Sequence, residues 1–267
     1  MVFRISLIAL LLIAQGCRKY PELTFPILPD RLYLSAVWQT VYVGDEPGEF
    51  ELIESFEYDE ENRLVQIEKF EPGHHIRFAI EYDMYALPFE VVIYRDGNIY
   101  QKIKFTFQQG KLHLAKTYSE FSGRLLFEDH FTYDPIGRLT QYKRISEISR
   151  HQLQFSWFEG NVNRIDETYG GQSFFYEYDH DLMRNPYRDV FKHLGVDLLH
   201  RLPLISNNQV RERAFRSFDE KEVNRLDAAY NYRQPGYPYY ARIVTEDDLG
   251  RKQEVARKFE YLPAPIN

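Results

Sequence analysis

The chain has 267 residues, a net charge of −7 and a single cysteine. The acidic balance argues against a nucleic-acid partner, the interspersed charges read as a solvated surface, and one thiol rules out an internal disulfide framework. Tyrosine (21) and phenylalanine (20) far outnumber tryptophan (2), a bias that leans the chain toward strands.

Residues 1–17 read MVFRISLIALLLIAQGC. Arg4 supplies a positive charge. Ile5 to Ala14 is apolar apart from Ser6 and too short to span a bilayer. Ala14, Gln15 and Gly16 then lead into Cys17. This is the layout of a secretory signal. It resembles the bacterial lipoprotein signal, which implies removal of residues 1–16 and acylation of Cys17. Position 18 is Arg rather than Asp, so the resemblance implies attachment to the outer membrane. Arg18-Lys19-Tyr20-Pro21-Glu22 lacks the acidic run of a surface-export signal, which favours the periplasmic side. Residues 17–29 hold Pro21, Pro26 and Pro29 and read as an extended, lipidated tether. Beyond them no stretch is apolar enough for a membrane-spanning helix, and residues 30–267 read as one domain.

That domain repeats. FEYDEENRLVQI begins at Phe56, FAIEYDMYALPFEVVIY at Phe78, IKFTFQQGKLHLAKTY at Ile103, HFTYDPIGRLTQYKR at His130, LQFSWFEGNVNRIDETY at Leu153 and FFYEYDHD at Phe174. The anchor aromatics Tyr58, Tyr82, Phe107, Tyr133, Trp157 and Tyr178 are spaced by 24, 25, 26, 24 and 21 residues. Each unit is an alternating strand, a polar or glycine turn, and a second alternating strand, which makes a hairpin. The aspartate of Tyr-Asp is expected to form the turn. Weaker copies follow from Ala228 and Lys258.

Alternation separates two faces. Ile103, Phe105 and Phe107 oppose Lys102, Lys104 and Thr106; Leu153, Phe155 and Trp157 oppose Gln154 and Ser156; Phe78, Ile80 and Tyr82 oppose Arg77 and Glu81. One face is buried and one is wet. A meander this long must curl or close. The fold expected is therefore all-β: a long antiparallel meander of repeated hairpins, curled or closed into a barrel. The rhythm breaks between Tyr178 and Tyr232. There Asn185 and Pro186 read as a helix start, and Val190, Phe191, Leu194, Leu198 and Leu199 as its apolar stripe. A short helical insertion is expected over about 185–208. Strands resume near Gln209–Phe218 and Glu222–Tyr232.

The segments YDPIGRL (Tyr133 to Leu139) and YDEENRL (Tyr58 to Leu64) resemble YD (Rhs-type) repeats. The signal, the hairpins, YDHDLMRNPYRDVFKHL (Tyr178 to Leu194) and SNNQV (Ser206 to Val210) together are similar to Bacteroidetes lipoproteins of a domain-of-unknown-function family with a porin-like fold. That resemblance implies a fold and a location, with no catalytic residues and no cofactor.

No phosphate loop, dinucleotide fingerprint, zinc-protease motif or nucleophile elbow occurs. His74-His75 sits in a hairpin turn after Pro72-Gly73 and lacks a third ligand, so no metal is expected. His113 and His130 read as polar-face or core residues, and His193 and His200 share a face without forming a site. Glu128, Asp129, Glu177 and Asp179 are the carboxylates a curled sheet could gather for glycoside hydrolysis, which needs two facing one cleft. YRQPGYPYY clusters Tyr232, Tyr237, Tyr239 and Tyr240 around two prolines, a candidate platform for a glycan or an envelope protein. The expectation is a non-enzymatic envelope lipoprotein that binds a ligand or serves as a structural component. A glycoside hydrolase and a membrane-spanning barrel are the alternatives.

Overall fold

The computed structural model describes residues 32–188, 190, 191, 194, 198, 207–234 and 236–263. Signal, tether, Cys17, His193, Leu199 and His200 lie outside them. The strands are β1 (Leu32–Val43), β2 (Glu46–Pro47), β3 (Glu51–Tyr58), β4 (Leu64–Glu71), β5 (His74–Tyr82) and β6 (Pro88–Arg95). They continue as β7 (Asn98–Gln108), β8 (Lys111–Ser119), β9 (Leu125–Tyr133), β10 (Leu139–Ser146), β11 (Arg150–Phe158) and β12 (Asn161–Tyr169). The last are β13 (Gln172–Arg184), β14 (Asn207–Arg216), β15 (Glu222–Gln234), β16 (Tyr237–Asp247) and β17 (Lys252–Pro263).

Neighbours in sequence pair antiparallel throughout, and β1 pairs with both β3 and β17. The meander therefore closes, giving a 16-strand antiparallel barrel of β1 and β3–β17; β2 is a two-residue pairing against the end of β1. Closure leaves no open edge for another chain to pair with. The turns after β3, β5, β7, β9, β11 and β15 lie at one end of the barrel, where the connection after β13 also begins. The turns after β4, β6, β8, β10, β12, β14 and β16 lie at the other.

The repeat has a physical basis at the first of these ends. Asp134 Oδ1 accepts the N–H groups of Ile136 (3.1 Å) and Arg138 (2.8 Å), and Arg138 Nε donates to Asp134 Oδ2 at 2.7 Å. Asp59 does the same with Glu61 and Arg63. Asp83 caps Tyr85 and Leu87 without an arginine. The turn needs a left-handed residue, supplied by Gly137 (φ 94°), Asn62 (φ 62°) or Ala86 (φ 60°). Asp247, Leu249, Gly250 and Arg251 build the same turn at the opposite end.

The anchor aromatics mark where register shifts. Irregular pairing falls between Glu57 and Tyr58, Glu81 and Tyr82, Thr106 and Phe107, and Ser156 and Trp157. Such bulges add local twist and bend the strand, which closure into a barrel requires. Three of the anchors, and Tyr261 of the weaker copy from Lys258, also tie adjacent strands. Tyr58 Oη donates to the Leu34 carbonyl (2.9 Å), Tyr82 Oη to Leu64 (2.8 Å), Trp157 Nε1 to Leu139 (2.8 Å) and Tyr261 Oη to Pro238 (2.7 Å).

The apolar face turns inward and forms two clusters. One gathers Leu34, Val37, Phe56, Ile67, Phe78 and Val91; the other gathers Leu112, Phe131, Leu153, Phe155 and Ile165. The segment after β13 packs into the first cluster through Tyr187, Val190, Phe191, Leu194 and Leu198. It begins as the sequence suggests: Asn185 Oδ1 accepts the Tyr187 N–H (2.9 Å), and Phe191 N–H reaches the Tyr187 carbonyl (3.3 Å). The expected helix is not shown: the few described residues after Asn185 form turns and a bend, and the rest of the segment lies outside the described residues. Its described apolar residues are buried against the inward face of the barrel.

Tyr82→Phe removes one anchor bond and leaves the Leu64 carbonyl short of its donor. A loss of about 1–2 kcal/mol is expected, read as a lower urea midpoint with an unchanged slope. An unchanged midpoint would show that the tie contributes nothing.

Candidate functional site

The lumen holds a cavity of about 1110 Å³. Its lining is mainly the inward apolar face, including Phe78, Ile93, Phe105, Phe131, Leu153 and Phe155, and Tyr187, Phe191 and Leu198 contribute from the segment after β13. Tyr187 is fixed by its hydroxyl, which donates to Oε2 of the fully buried Glu54 at 2.7 Å.

Polar groups interrupt this lining on β9–β14. Asp129 (6 % exposed) receives two bonds from Arg144, at 2.7 and 3.1 Å, and one from the Tyr142 hydroxyl at 2.8 Å. The Arg144 guanidinium also lies 3.9 Å from the Phe127 ring centroid, a desolvated cation–π contact. Beside it, His151 Nε2 meets Glu167 Oε1 at 2.6 Å, and the Tyr176 hydroxyl donates to Glu167 Oε2. The hydrogen bond from His151 holds the Glu167 carboxyl below its ordinary value, against the opposing effect of burial. Further along the wall, Glu212 lies directly opposite Tyr178 across the β13–β14 pair. Gln209 Nε2 donates to Glu212 Oε2 at 3.0 Å. A register irregularity opposite Asp179–His180 brings Gln209 and Glu212 to the same inward face. Burial pushes the Glu212 carboxyl up, only partly offset by Gln209. Burial also raises Tyr142, Tyr176 and Tyr178, and takes Tyr133 and Tyr230 up to about 12. All five phenols remain neutral hydrogen-bond donors at physiological pH.

The outer wall has the opposite character. Lys116–Glu128 (2.8 Å), Arg213–Glu177 (2.8 Å), Arg211–Asp227 (2.8 Å) and Arg164–Asp166 (2.7 Å) pair along it, as do Arg242 and Glu254. These pairs sit at mid-strand positions, where a lipid-facing barrel needs a charge-free band about 25 Å tall.

The structure scatters the residues singled out as chemical candidates. Glu128, Glu177 and Asp179 are on the outer wall beside lysine or arginine, while Asp129 alone of the four lines the lumen. They do not face one cleft. His74 Nδ1 contacts Asp96 Oδ2 (3.0 Å), whereas the His75 ring stacks on Phe70 at 4.9 Å. His130 lies 3.4 Å from Glu128. Among the described residues no group of three or more His, Cys, Asp or Glu is placed to hold a metal ion. The tyrosine cluster is also divided. The Tyr232 hydroxyl donates to Asp181 and accepts from Asn208, Arg184 donates to Tyr237 (2.6 Å), and Tyr240 meets Tyr42 (2.8 Å). None of Tyr232, Tyr237, Tyr239 and Tyr240 lines the cavity.

His151, Glu167, Gln209 and Glu212 were not visible as a site in the sequence. A signal for two of them does exist: His151 continues the inward series Leu153, Phe155, Trp157, and Glu167 continues Ile165. A polar residue in phase with the apolar face marks a lumen group.

Because the folded state holds the Glu212 proton more tightly than the unfolded chain, this group's stabilising effect is complete below the unfolded value of 4.5 and declines as pH rises through the folded value. Glu212→Gln is expected to raise the urea midpoint at pH 8 more than at pH 4. An equal shift at both, or destabilisation at pH 8 alone, contradicts the environment described.

No protein-family model and no curated protein matches the chain. Among solved structures it is similar to a porin-like protein from Bacteroides uniformis, with a TM-score of 0.56 and 10% identity over 86% of this chain and 98% of that one. A porin-like protein from Bacteroides vulgatus aligns over 88% of this chain and 100% of that one at 11% identity, with a TM-score of 0.47. TcdB2-TccC3-TEV aligns over 87% of this chain and 15% of its own, at a TM-score of 0.32. The last two scores carry no argument. At such identities the first speaks for fold alone: this chain is a closed, antiparallel β-barrel of porin-like architecture.

Proposed function

We propose that the protein is a non-enzymatic binding protein of the cell envelope. In this reading it is held to the outer membrane by acylated Cys17 on the periplasmic side, and its lumen carries an apolar ligand. The observation behind the binding role is the polarity of the wall. A pore of this architecture is apolar outside and polar inside; here the lumen is apolar and the outer wall is laced with ion pairs. A cavity of about 1110 Å³ lies just above the usual range of about 300–1,000 Å³ for small-molecule sites. The anchor rests on the sequence: a short apolar run ending in Ala-Gln-Gly-Cys, followed by a proline-bearing tether. Stable attachment needs two or more acyl chains, which the lipoprotein modification would supply.

Two measurements on one pair of proteins test this. Labelled palmitate should enter the native chain and not Cys17→Ser. The full-length Cys17→Ser chain should remain dispersed without detergent and bind N-phenyl-1-naphthylamine saturably, with enhanced fluorescence that Ala115→Trp in the lumen reduces. Palmitate incorporation independent of Cys17 overturns the anchor. Absence of saturable probe binding overturns the binding role.

A further inference from the structure

The lumen is apolar but not featureless, and its polar groups differ in one respect: some are satisfied within the protein and some are not. The charged groups are mostly paired. Lys69 meets Glu71 at 2.6 Å, Arg144 holds Asp129, and His151 holds Glu167. Arg257 Nε donates to Gln39 at 2.9 Å, and the Arg95 guanidinium lies over the Tyr100 ring.

Four hydroxyls on the same lining have no hydrogen-bond partner among the described residues: those of Thr117, Tyr133, Tyr178 and Tyr230. Thr117 is 1 % exposed and its Oγ1 is buried. Tyr178 and Glu212 face each other across adjacent strands, and Glu212 has Gln209 as its hydrogen-bond partner and no ion-pair partner among the described residues. Buried polar groups are normally satisfied, so unsatisfied hydroxyls in a cavity wall mark where a ligand's polar atoms belong. On the Tyr178 side the nearest ionisable group is the Glu212 carboxyl, which burial disfavours in its charged form, and burying an unpaired ion is costly.

Resting on the reading of the lumen as a binding site, we propose that Tyr178, Gln209 and Glu212 hydrogen-bond the polar end of an uncharged amphiphile, a ligand with an apolar body and a hydroxyl or carbonyl oxygen. Tyr178 donates its phenolic proton, and the Gln209 and Glu212 side chains supply both donor and acceptor capacity. The aromatic and aliphatic lining on β5–β11 takes the apolar body.

Three ligands of equal chain length separate the possibilities: 1-dodecanol, dodecanoate and dodecylammonium, each displacing N-phenyl-1-naphthylamine from the full-length Cys17→Ser chain at pH 7. Dodecanol is expected to displace the probe at about tenfold lower concentration than either ion. Tyr178→Phe and Glu212→Leu should each weaken dodecanol severalfold, with bound probe reporting that the barrel is still folded. Glu212→Gln, which keeps the hydrogen-bonding capacity, should not weaken it. Preference for dodecylammonium that Glu212→Gln abolishes would overturn the inference in favour of an amine site. Preference for dodecanoate, no head-group preference, or indifference to both Tyr178→Phe and Glu212→Leu would overturn it as well. If the probe itself fails to bind, the reading of the barrel as a binding protein falls and takes this inference with it. Probe binding with the wrong head-group order defeats the inference alone.

Discussion

Sixteen strands closed into one sheet enclose more space than their own inward side chains fill, and the rest of this structure follows from that excess. Barrels of this size in membranes solve the problem with water. This chain faces it with an apolar lumen, and two features respond. Large aromatics occupy the inward positions, and the segment after β13 enters as a partial plug through Val190, Phe191, Leu194 and Leu198. What they leave is the cavity. The plug is anchored where apolar packing alone could slide: the Tyr187–Glu54 hydrogen bond joins it to β3 in the buried interior.

The same excess explains the paired charges inside the wall. Apolar side chains cannot fill every inward position of a wide barrel, and the polar ones that remain must be neutralised locally. Asp129 with Arg144 and Tyr142, and Glu167 with His151 and Tyr176, do this on neighbouring strands. Arg144 is also covered by Phe127. On the outside, arginine and lysine pair with acids across adjacent strands, so the outer wall resembles the surface of a water-soluble sheet. The likeness to the porin-like protein from Bacteroides uniformis is one of strand path and closure.

Much of this was legible in the residues. The period of the anchor aromatics is real because Tyr58, Tyr82, Phe107 and Trp157 mark register shifts and Tyr58, Tyr82 and Trp157 also tie neighbouring strands. The aspartate of Tyr-Asp is a turn former, as its spacing to the glycine or asparagine indicated. The two-residue alternation around Phe78, Phe105 and Phe155 correctly separated the faces. It could not say which face curves inward, since apolar-in and apolar-out barrels share one pattern, and the sign of curvature emerges only on closure. The plug was legible as an apolar stripe, Val190, Phe191, Leu194 and Leu198, whereas its enclosure by the barrel was not. The lumen site was harder still. Asp129 was singled out for its charge, although its partner Arg144 lies 15 residues away on the next strand. Glu212 sits between Arg211 and Arg213, which hides an inward carboxyl among outward charges. The bulge opposite Asp179–His180, invisible in the sequence, places Gln209 beside it.

The central claim is that the outer wall faces water rather than lipid. If Cys17 is acylated as proposed, a cysteine introduced elsewhere is the single free thiol of the chain. Lys104, Gln154 and Ala229 are exposed, mid-strand positions on β7, β11 and β15, spread around the barrel. Replaced singly by cysteine in envelope fragments open on both sides, all three are predicted to react with a charged, membrane-impermeant thiol reagent as fast before detergent is added as after it. Protection of all three until detergent is added would show a wall embedded in lipid and would contradict the account.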